Sequence, residues 1–495
     1  MLLLGIDLGS SSVKVSVVDG EAGRAISSSS YPSPEMVISA PRPGWAEQDP
    51  EVWWKNFTHA LTACLQPLGT RKKEIGAIGI SYQMHGLVIV DSNREVLRPS
   101  IIWCDSRAVE TGQMAYEQMG KDFCLHHLLN SPANFTASKL AWVRENEPAL
   151  YDRIYKIMLP GDYLAMRLTD EIKTTYTGLS EGIFWDYMRN DISEELLEYF
   201  GIDPGLLAEP VESFTLQGEL TNKMAKELGL TAGIPVSYRA GDQPNNALSL
   251  NVLKPGEVAA TAGTSGVIYG VTDNIQFDPM SRINTFLHVN HTERLTRLGV
   301  LLCINGTGIL NSWLKKNTGA GLKYPDMNDM AAGIEPGSEG LFMLPFGNGA
   351  ERMLQNRNIG ASVHGLNFNI HGQGHLYRAA QEAIAYSFRF GLEIMKETGI
   401  NPTVIRAGES NLFLSKVFRD ILSSLTSTVI TLYNTDGSVG AARGAGIGCG
   451  FYKSEDEAFR GLEITGSSEP DNEMSMIYDA RYMEWLDILD DQLFG

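Results

Sequence analysis

The sequence predicts an α/β protein built from two lobes, and three observations lead to this expectation. The chain has 495 residues, more than the roughly 100–200 residues of one ordinary domain. Strand-like runs near the amino terminus are followed by alternating helical and strand-like segments, an order typical of α/β architecture. A segment with the pattern of a hairpin recurs about half a chain later. We therefore expect two large domains, residues 1–246 and 247–495.

The composition is that of a globular protein with an acidic surface. Hydrophobic residues make up 43% of the chain, and 40 basic side chains against 59 acidic ones give a net charge of −19. A polyanion does not attract another polyanion, so neither nucleic acid nor an acidic membrane surface is an expected partner. The five cysteines are far apart, and no apolar run approaches the roughly 20 residues that span a bilayer. We expect a reduced, cytoplasmic protein.

The first segments predict strands and then a helix. Apolar, β-rich runs at residues 2–7 and 13–18 flank the small-residue segment 8–12, which predicts a hairpin. A third strand is expected at about residues 24–31. Asp49 is the expected N-cap of a helix, because apolar side chains follow it at helical spacing. Further expected elements are strands at residues 75–80, 87–90 and 404–406, a helix at residues 376–395, and a small-residue helix at residues 440–446 that can lie close against a sheet.

The hairpin pattern occurs twice. Shifting the chain by 254 residues places residues 9–13 on residues 263–267, and each copy reads as strand, small-residue turn and strand. Chance similarity of two short hairpins is the alternative. The offset is about half the chain length, however, as a duplicated two-lobe protein requires. Asp7 falls opposite Thr261, so the two copies are not chemically equivalent.

Both turns have a composition that suits phosphate binding. Small residues leave consecutive backbone N–H groups unobstructed, and Ser or Thr hydroxyls add donors. A single turn of this kind is more often only a turn, so the argument rests on two of them at corresponding places. The sequence has no G-x-x-x-x-G-K-[ST] loop, and any nucleotide would be bound without a Walker-type cradle.

Two aspartates are candidates for phosphoryl-transfer chemistry. Asp7 ends an apolar strand beside the first turn, where its carboxylate either holds Mg²⁺, directly or through water, or accepts turn amides. Asp242 lies just before Pro244 at the expected domain boundary. It either caps a helix or accepts a proton from an attacking hydroxyl. His85 lies at a strand end, where a lone histidine is more often structural.

Taken together, these motifs resemble those of the FGGY carbohydrate kinases, and within that family most closely the xylulokinases. The resemblance extends from Leu3 to about Gly446 and rests on an ordered series of segments. Residues 5–14 and 263–266 resemble the two phosphate hairpins, 83–86 the sugar-site segment, 103–107 a W-x-D-x-R motif, 241–243 the segment of the catalytic aspartate, and 44–50, 136–143 and 361–382 further family segments. Such ordered matches are more specific than any single one.

The chain also departs from the family pattern near the nucleotide and near the base. Where the family has a Gly-Gly-Gly turn, this chain has Gly408-Glu409-Ser410, so Glu409 is expected to alter the contacts with adenine or phosphate. Asp242 is not followed by the commoner Asn-Ala. This difference changes the neighbourhood of the aspartate but keeps the aspartate itself.

The resemblance implies two ribonuclease-H-like lobes of the actin and hexokinase type, with a cleft between them. Sugar would bind mainly to the N-terminal lobe and ATP mainly to the C-terminal lobe. The implied reaction is ATP-dependent phosphorylation of the 5-hydroxyl of D-xylulose with Mg²⁺ as cofactor. The implied roles are general base for Asp242, Mg²⁺ binding for Asp7, sugar binding for Met84, His85, Trp103 and Asp105, and phosphate or nucleotide binding for Ser10, Ser11, Lys14, Gly263, Thr264, Ser265, Gly408 and Glu409.

Two alternatives stay open. The acceptor of the phosphoryl group is another ketose or a polyol, such as L-ribulose, L-rhamnulose, L-fuculose or glycerol; Met84 and His85 argue against these. From a different class, the chain is a non-catalytic, actin-like nucleotide-binding protein; the retention of both Asp7 and Asp242 argues against that. The sequence does not decide between a monomer and a homodimer.

Overall fold

In the computed structural model, which describes residues 1–495, the strands near the amino terminus form the sheet of the first lobe, the N-sheet. Leu2–Leu8 is antiparallel to Val13–Asp19 on one side and parallel to Ile75–Tyr82 on the other. It is buried along almost its whole length, because helices cover both faces of the sheet. Across the N-sheet the six strands are Phe214–Glu219, Pro235–Gly241, Ile75–Tyr82, Leu2–Leu8, Val13–Asp19 and Arg24–Tyr31.

The second lobe is built on a sheet of its own, the C-sheet. Val258–Ala262 and Gly266–Thr272 form its central hairpin, and Val404–Gly408 pairs parallel to the first of these strands. Across the C-sheet the seven strands are Asn284–Leu287, Leu298–Ile304, Gly266–Thr272, Val258–Ala262, Val404–Gly408, Val429–Tyr433 and Ile464–Ser468.

The two sheets share a core of the same topology. In each, a hairpin pairs through its second strand with a third antiparallel strand, and two further strands lie parallel to the first strand on its other side. The third strand of this core is Arg24–Tyr31 in the N-sheet and Leu298–Ile304 in the C-sheet. The hairpin that recurs after 254 residues supplies the first two strands of each core. The expectation of two ribonuclease-H-like lobes is thus confirmed.

Most predicted local elements are present with small shifts at their ends. The Asp49 side chain accepts a hydrogen bond of 2.9 Å from the backbone N–H of Glu51 and caps the helix Pro50–Leu65, as expected. The helix predicted at residues 376–395 runs over Gln373–Lys396. The strand predicted at residues 87–90 is Val88–Val90, and it pairs with Lys156–Met158 outside the N-sheet.

The remaining elements surround the two sheets. The longer helices of the first half are Pro50–Leu65, Val109–Gln118, Thr136–Asn146, Pro160–Thr169, Tyr176–Glu181, Glu194–Phe200, Asn222–Leu228 and Asp242–Ser249. Those of the second half are Gly308–Thr318, Tyr324–Ala332, Gln373–Lys396, Lys416–Thr426, Gly437–Gly448 and Asn472–Phe494. Small two-stranded sheets join Glu47–Gln48 to Ser100–Ile101, Val88–Val90 to Lys156–Met158, Lys173–Thr175 to Glu209–Val211, Trp185–Asp186 to Asp191–Ile192, and Phe342–Phe346 to Gly360–His364.

The helix Gly437–Gly448, here called the crossing helix, joins the lobes. It follows a strand of the C-sheet but packs against the N-sheet, over the strands Leu2–Leu8 and Ile75–Tyr82. The small residues predicted at 440–446 therefore do let a helix lie close to a sheet, and the sheet is that of the other lobe. The helix Asp242–Ser249 packs beside the crossing helix.

Glycines in the N-sheet make this close approach possible. A Cβ atom on Gly5 would lie 1.8 Å from the carbonyl oxygen of Ser438, and one on Gly79 would lie 2.0 Å from that of Ala441. Both distances are far inside van der Waals contact, so any side chain at either position would push the crossing helix off the sheet.

The predicted domain division at residues 246/247 falls inside the helix Asp242–Ser249 and stays a prediction. None of the helices combines the length and the apolar composition needed to cross a membrane.

Candidate active site

The first turn lies where the central strand of the N-sheet meets the cleft. The Gly9 N–H donates to the carbonyl oxygen of Ser12 at 3.0 Å and closes the hairpin. The side-chain amide of Gln48 donates to the carbonyl oxygen of Ser10 at 2.7 Å. Ser11 is exposed, and Ser10 is half-buried. Gln48 therefore anchors the turn to the rest of the lobe, while Ser11 on its outer face is exposed to solvent.

Asp7 is the residue before this turn that faces the crossing helix. A Cβ atom on Gly437 would lie 2.3 Å from Asp7 Oδ2, so only a glycine leaves room for the carboxylate. Burial and the negative charge of Asp436 raise the pKa of Asp7 to about 6, against a hydrogen bond from Ser81 and the positive charge of Lys14. The carboxylate thus occupies a site that favours a further positive charge.

Asp242 follows the strand Pro235–Gly241, whose carboxyl end lies on the same side of the N-sheet as that of Leu2–Leu8. Gly241 takes the N-cap position, and Asp242 is the first residue of the helix, so the simple N-cap alternative is not what the structure shows. Burial, and then the charge of Asp7, raise the pKa of Asp242 to about 7, while hydrogen bonding with Gln243 opposes the shift. Two carboxylates close enough to influence each other therefore face the cleft.

Lys14 bridges the two halves of the chain. Its ammonium group lies 2.8 Å from Asp436 Oδ2. The other Asp436 oxygen accepts the backbone N–H groups of Ser438 (2.9 Å) and Val439 (3.1 Å) and caps the crossing helix. The predicted phosphate contact of Lys14 stays a prediction, because in this structure Asp436 is its partner. Asp436 was missed in the sequence, although an Asp-Gly-Ser run after a strand is an N-cap signal.

The second turn opens onto a large cavity. The carbonyl oxygens of Gly263 and Thr264 accept the N–H groups of Gly308 (2.9 Å) and Ile309 (3.1 Å), which fixes the turn against the start of a helix. Ser265 beside them is half-buried. The cavity measures about 1300 Å³, enough for a nucleotide-sized ligand. Its lining includes Gly263, Thr264, Asn311, Tyr324, Asn411 and Ser415.

The unusual Gly408-Glu409 segment lies at the end of a C-sheet strand near this cavity. Glu409 is exposed, and neither it nor Gly408 lines the cavity. Asn411 and Leu412, just downstream, do line it. The predicted nucleotide contacts of Gly408 and Glu409 stay untested, and Asn411 is a candidate that the sequence gave no reason to select.

Of the predicted sugar residues Met84 and His85, Met84 lies against the residue that precedes Asp242. Met84 is buried, and its Cγ atom would be 2.5 Å from a Cβ atom on Gly241, the residue before Asp242. The ring of His85 packs against Phe135, with ring centroids 4.9 Å apart. Its Nδ1 atom lies 2.9 Å from the carbonyl oxygen of Glu181. Burial lowers the pKa of His85 to about 3, so the ring is neutral at physiological pH.

The backbone and the surroundings of His85 add two residues that sequence reasoning missed. His85 has a φ of +61°, in the left-handed region that non-glycine residues seldom adopt. The ammonium group of Lys139 donates to the His85 carbonyl oxygen at 2.8 Å. Burial lowers the pKa of Lys139 to about 7. Lys139 lies in the helix Thr136–Asn146, inside a segment that resembles the family, and Glu181 ends the helix Tyr176–Glu181, but neither was selected as a site residue from the sequence.

Trp103 and Asp105, the other predicted sugar residues, differ in exposure. Trp103 is 47% exposed, whereas Asp105 is fully buried. Asp105 Oδ2 pairs with Arg107 at 2.7 Å and accepts the backbone N–H of Ala46, and Oδ1 accepts the backbone N–H of Arg107 at 2.9 Å. Both Asp105 oxygens thus have protein partners, and a sugar contact of either residue stays a prediction.

Comparison with known proteins shows where this architecture belongs. Residues 2–249 match the N-terminal domain, and residues 258–449 the C-terminal domain, of the FGGY family of carbohydrate kinases. The chain belongs to this family. It is therefore an ATP-dependent sugar kinase, and the alternative of a non-catalytic actin-like protein loses its support.

Individual relatives cover nearly the whole chain. The chain is 29% identical to a xylulose kinase of Escherichia coli K12 over 489 residues, covering 97% of each protein. It is 31% identical to a xylulose kinase of Lactococcus lactis, covering 91% of this chain and 89% of that one. The crystal structure of xylulose kinase from Rhodospirillum rubrum superposes with a TM-score of 0.89 at 25% identity, covering 100% of this chain and 99% of that one.

The contact between Gly437 and Asp7 gives a first prediction. In Gly437→Ala the new methyl group would displace the Asp7 carboxylate, so we expect kcat for sugar phosphorylation to fall at least about tenfold, the effect of a small misplacement of a catalytic group. Steady-state kinetics with purified protein measure it. Gly372→Ala is the matched control, because a Cβ atom there meets nothing within 4 Å. Unchanged kcat in Gly437→Ala would show that the position of the Asp7 carboxylate does not affect the rate of phosphorylation.

Proposed function

We propose that this enzyme transfers the γ-phosphoryl group of ATP to the 5-hydroxyl of D-xylulose. The observation that carries the proposal is the carboxylate of Asp242 in the cleft, with Met84 against the preceding Gly241 and His85 one residue further along. The similarity to xylulose kinases over nearly the full length supports D-xylulose as the acceptor. The fold alone does not choose among sugars, because one fold hosts many acceptors.

In the proposed reaction, Asp242 accepts the proton of the sugar hydroxyl while the hydroxyl oxygen attacks the γ-phosphorus. The new bond joins the sugar oxygen to phosphorus, and the bond from phosphorus to the β-γ bridging oxygen breaks to release ADP. A raised pKa suits a base that works near neutral pH, because proton affinity and ionised fraction are then both substantial. The backbone N–H groups and hydroxyls of the two turns are the proposed donors to the phosphates.

The residues present fit Mg²⁺. The ion prefers oxygen ligands and is typically held by one or two carboxylates together with substrate phosphates and water. Asp7 offers a carboxylate beside the first turn. Its pKa is raised to about 6, so a nearby cation would stabilise its ionised form. When bound, Mg²⁺ would neutralise phosphate charge during transfer. Asp7 would hold it, directly or through water, and Asp242 stays free to act on the sugar.

An ADP-release assay with an acceptor panel tests the proposed acceptor. We expect Mg·ATP turnover to rise strongly with D-xylulose and weakly or not at all with L-ribulose, L-rhamnulose, L-fuculose, glycerol and gluconate. A reaction without sugar gives the background ATPase rate. A clear preference for another member of the panel would leave the sugar-kinase reaction in place and overturn D-xylulose as its acceptor.

The role of Asp242 makes a separate prediction. Asp242→Asn keeps the size of the side chain but removes the base, so we expect kcat to fall by about 10²–10⁴, the typical contribution of general base catalysis. Sugar binding should be largely kept, because the hydrogen-bonding shape changes little. Isothermal titration with sugar and a coupled assay measure the two quantities. Normal turnover in this variant would remove Asp242 from the mechanism.

The raised pKa of Asp242 also predicts a pH dependence. Only the ionised carboxylate can accept a proton, so activity is lost as the pH falls through the pKa of about 7. We expect kcat/KM for the sugar to drop roughly tenfold per pH unit below that value. An ordinary aspartate, with a pKa of about 3.9, would leave the rate flat down to about pH 5. A pH–rate profile with pH-insensitive coupling enzymes separates these two outcomes.

A further inference from the structure

Glu181 is a buried carboxylate to which the proposed mechanism gives no role. It is the last residue of the helix Tyr176–Glu181, and only 1% of its surface is exposed. The charges that act on it most, those of Asp162 and Asp242, are negative. A buried acid among other acids is costly unless hydrogen bonds hold it. Its hydrogen bonds lead to the sugar site.

Glu181 holds His85 at two points. Its Oε1 atom accepts the backbone N–H of His85 at 3.2 Å, and its own carbonyl oxygen lies 2.9 Å from His85 Nδ1. A carbonyl oxygen only accepts, so Nδ1 carries the proton and the neutral ring presents the lone pair of Nε2. The backbone N–H that Glu181 accepts belongs to a residue in the left-handed conformation.

The second carboxylate oxygen of Glu181 reaches the residue before the proposed base. A Cβ atom on Gly241 would lie 2.6 Å from Glu181 Oε2. The carboxylate therefore fills the space beside Gly241, together with Met84. One side chain thus contacts both the segment that carries His85 and the segment that carries Asp242.

We propose that Glu181 is a positioning residue of the sugar site: it holds His85 so that Nε2 accepts a hydrogen bond from a sugar hydroxyl. The inference rests on the proposed function, because it assumes that His85 faces the sugar. It assigns a direction to that contact, with the sugar as the donor. A sugar with no hydroxyl at this point would leave the Nε2 lone pair without a hydrogen bond and would bind less well.

Two substitutions at Glu181 test the inference. Glu181→Ala removes the acceptor of the His85 N–H, and we expect KM for the sugar to rise about tenfold, the usual effect of losing one buried hydrogen bond. KM for ATP should not change. Glu181→Gln keeps an acceptor of the same size and should restore most of the sugar affinity. Equal effects on sugar and ATP, or no rescue by glutamine, would overturn the inference.

Asp186→Ala is the matched control for Glu181→Ala. Asp186 is also a fully buried carboxylate of the first lobe that accepts backbone N–H groups, those of Met188 (2.9 Å) and Arg189 (3.0 Å), but it does not contact His85. We expect this variant to have the same ratio of KM for the sugar to KM for ATP as the wild-type enzyme. A shift in the ratio like that of Glu181→Ala would mean that any buried acid in this lobe produces the effect.

A double-mutant cycle shows whether Glu181 acts through His85. If it does, Glu181→Ala adds little to the loss caused by His85→Ala, because the positioned group is already gone. Additive losses would overturn the inference. The cycle uses whichever acceptor the wild-type enzyme turns over, so a failure of D-xylulose in the panel is distinct from a failure of the Glu181 role.

A measurement without turnover completes the test. The ¹⁵N chemical shifts of the histidine rings distinguish the two neutral tautomers, and comparison with His85→Ala assigns the signals of His85. We expect the Nδ1–H tautomer in the wild-type enzyme, in Glu181→Gln and in Glu181→Ala, because the partner of Nδ1 is the main-chain carbonyl of residue 181, which both substitutions keep. A wild-type ring protonated on Nε2 would contradict the inference whether or not any sugar is phosphorylated.

Discussion

The close packing of the crossing helix on the N-sheet is the contact on which the rest of the active site depends. Gly5 and Gly79 allow the helix backbone to approach the strands, and this approach brings Gly437 against the carboxylate of Asp7. The start of the helix belongs to the second half of the chain, yet Asp436 there pairs with Lys14 of the first hairpin. The proposed metal ligand and phosphate contact are thus built from both halves.

The electrostatics of the cleft follow from this geometry. Burial raises the pKa of Asp7 to about 6 and that of Asp242 to about 7, with a smaller contribution from the charge of Asp436 at Asp7 and from that of Asp7 at Asp242. Ionising either carboxyl group therefore carries a cost. A Mg²⁺ ion held at Asp7 would offset that cost. The surroundings of the proposed sugar residues differ, because burial keeps His85 neutral and Glu181 lies among negative charges.

Local pattern was enough to predict the two hairpins and the Asp49 cap, because periodicity and turn composition act within a few residues. The two ribonuclease-H-like lobes were implied only by the family resemblance. Asp7 and Asp242 stand out in the sequence because each follows an apolar strand. The missed residues depend on contacts between distant segments. Lys14 and Asp436 are 422 positions apart, and Glu181 is 96 positions from His85. A glutamate at a helix end gives no local sign that it will be buried against another segment.

The crossing helix also limits how the chain can be divided. A fragment that ended before it would leave one face of the N-sheet uncovered, with the apolar side chain of Leu3 and the glycines exposed to water. The second half alone would carry a helix whose small residues have no sheet to contact. The two lobes are therefore duplicated in form but not independent as folding units, and a cut between them would separate each from part of its own core.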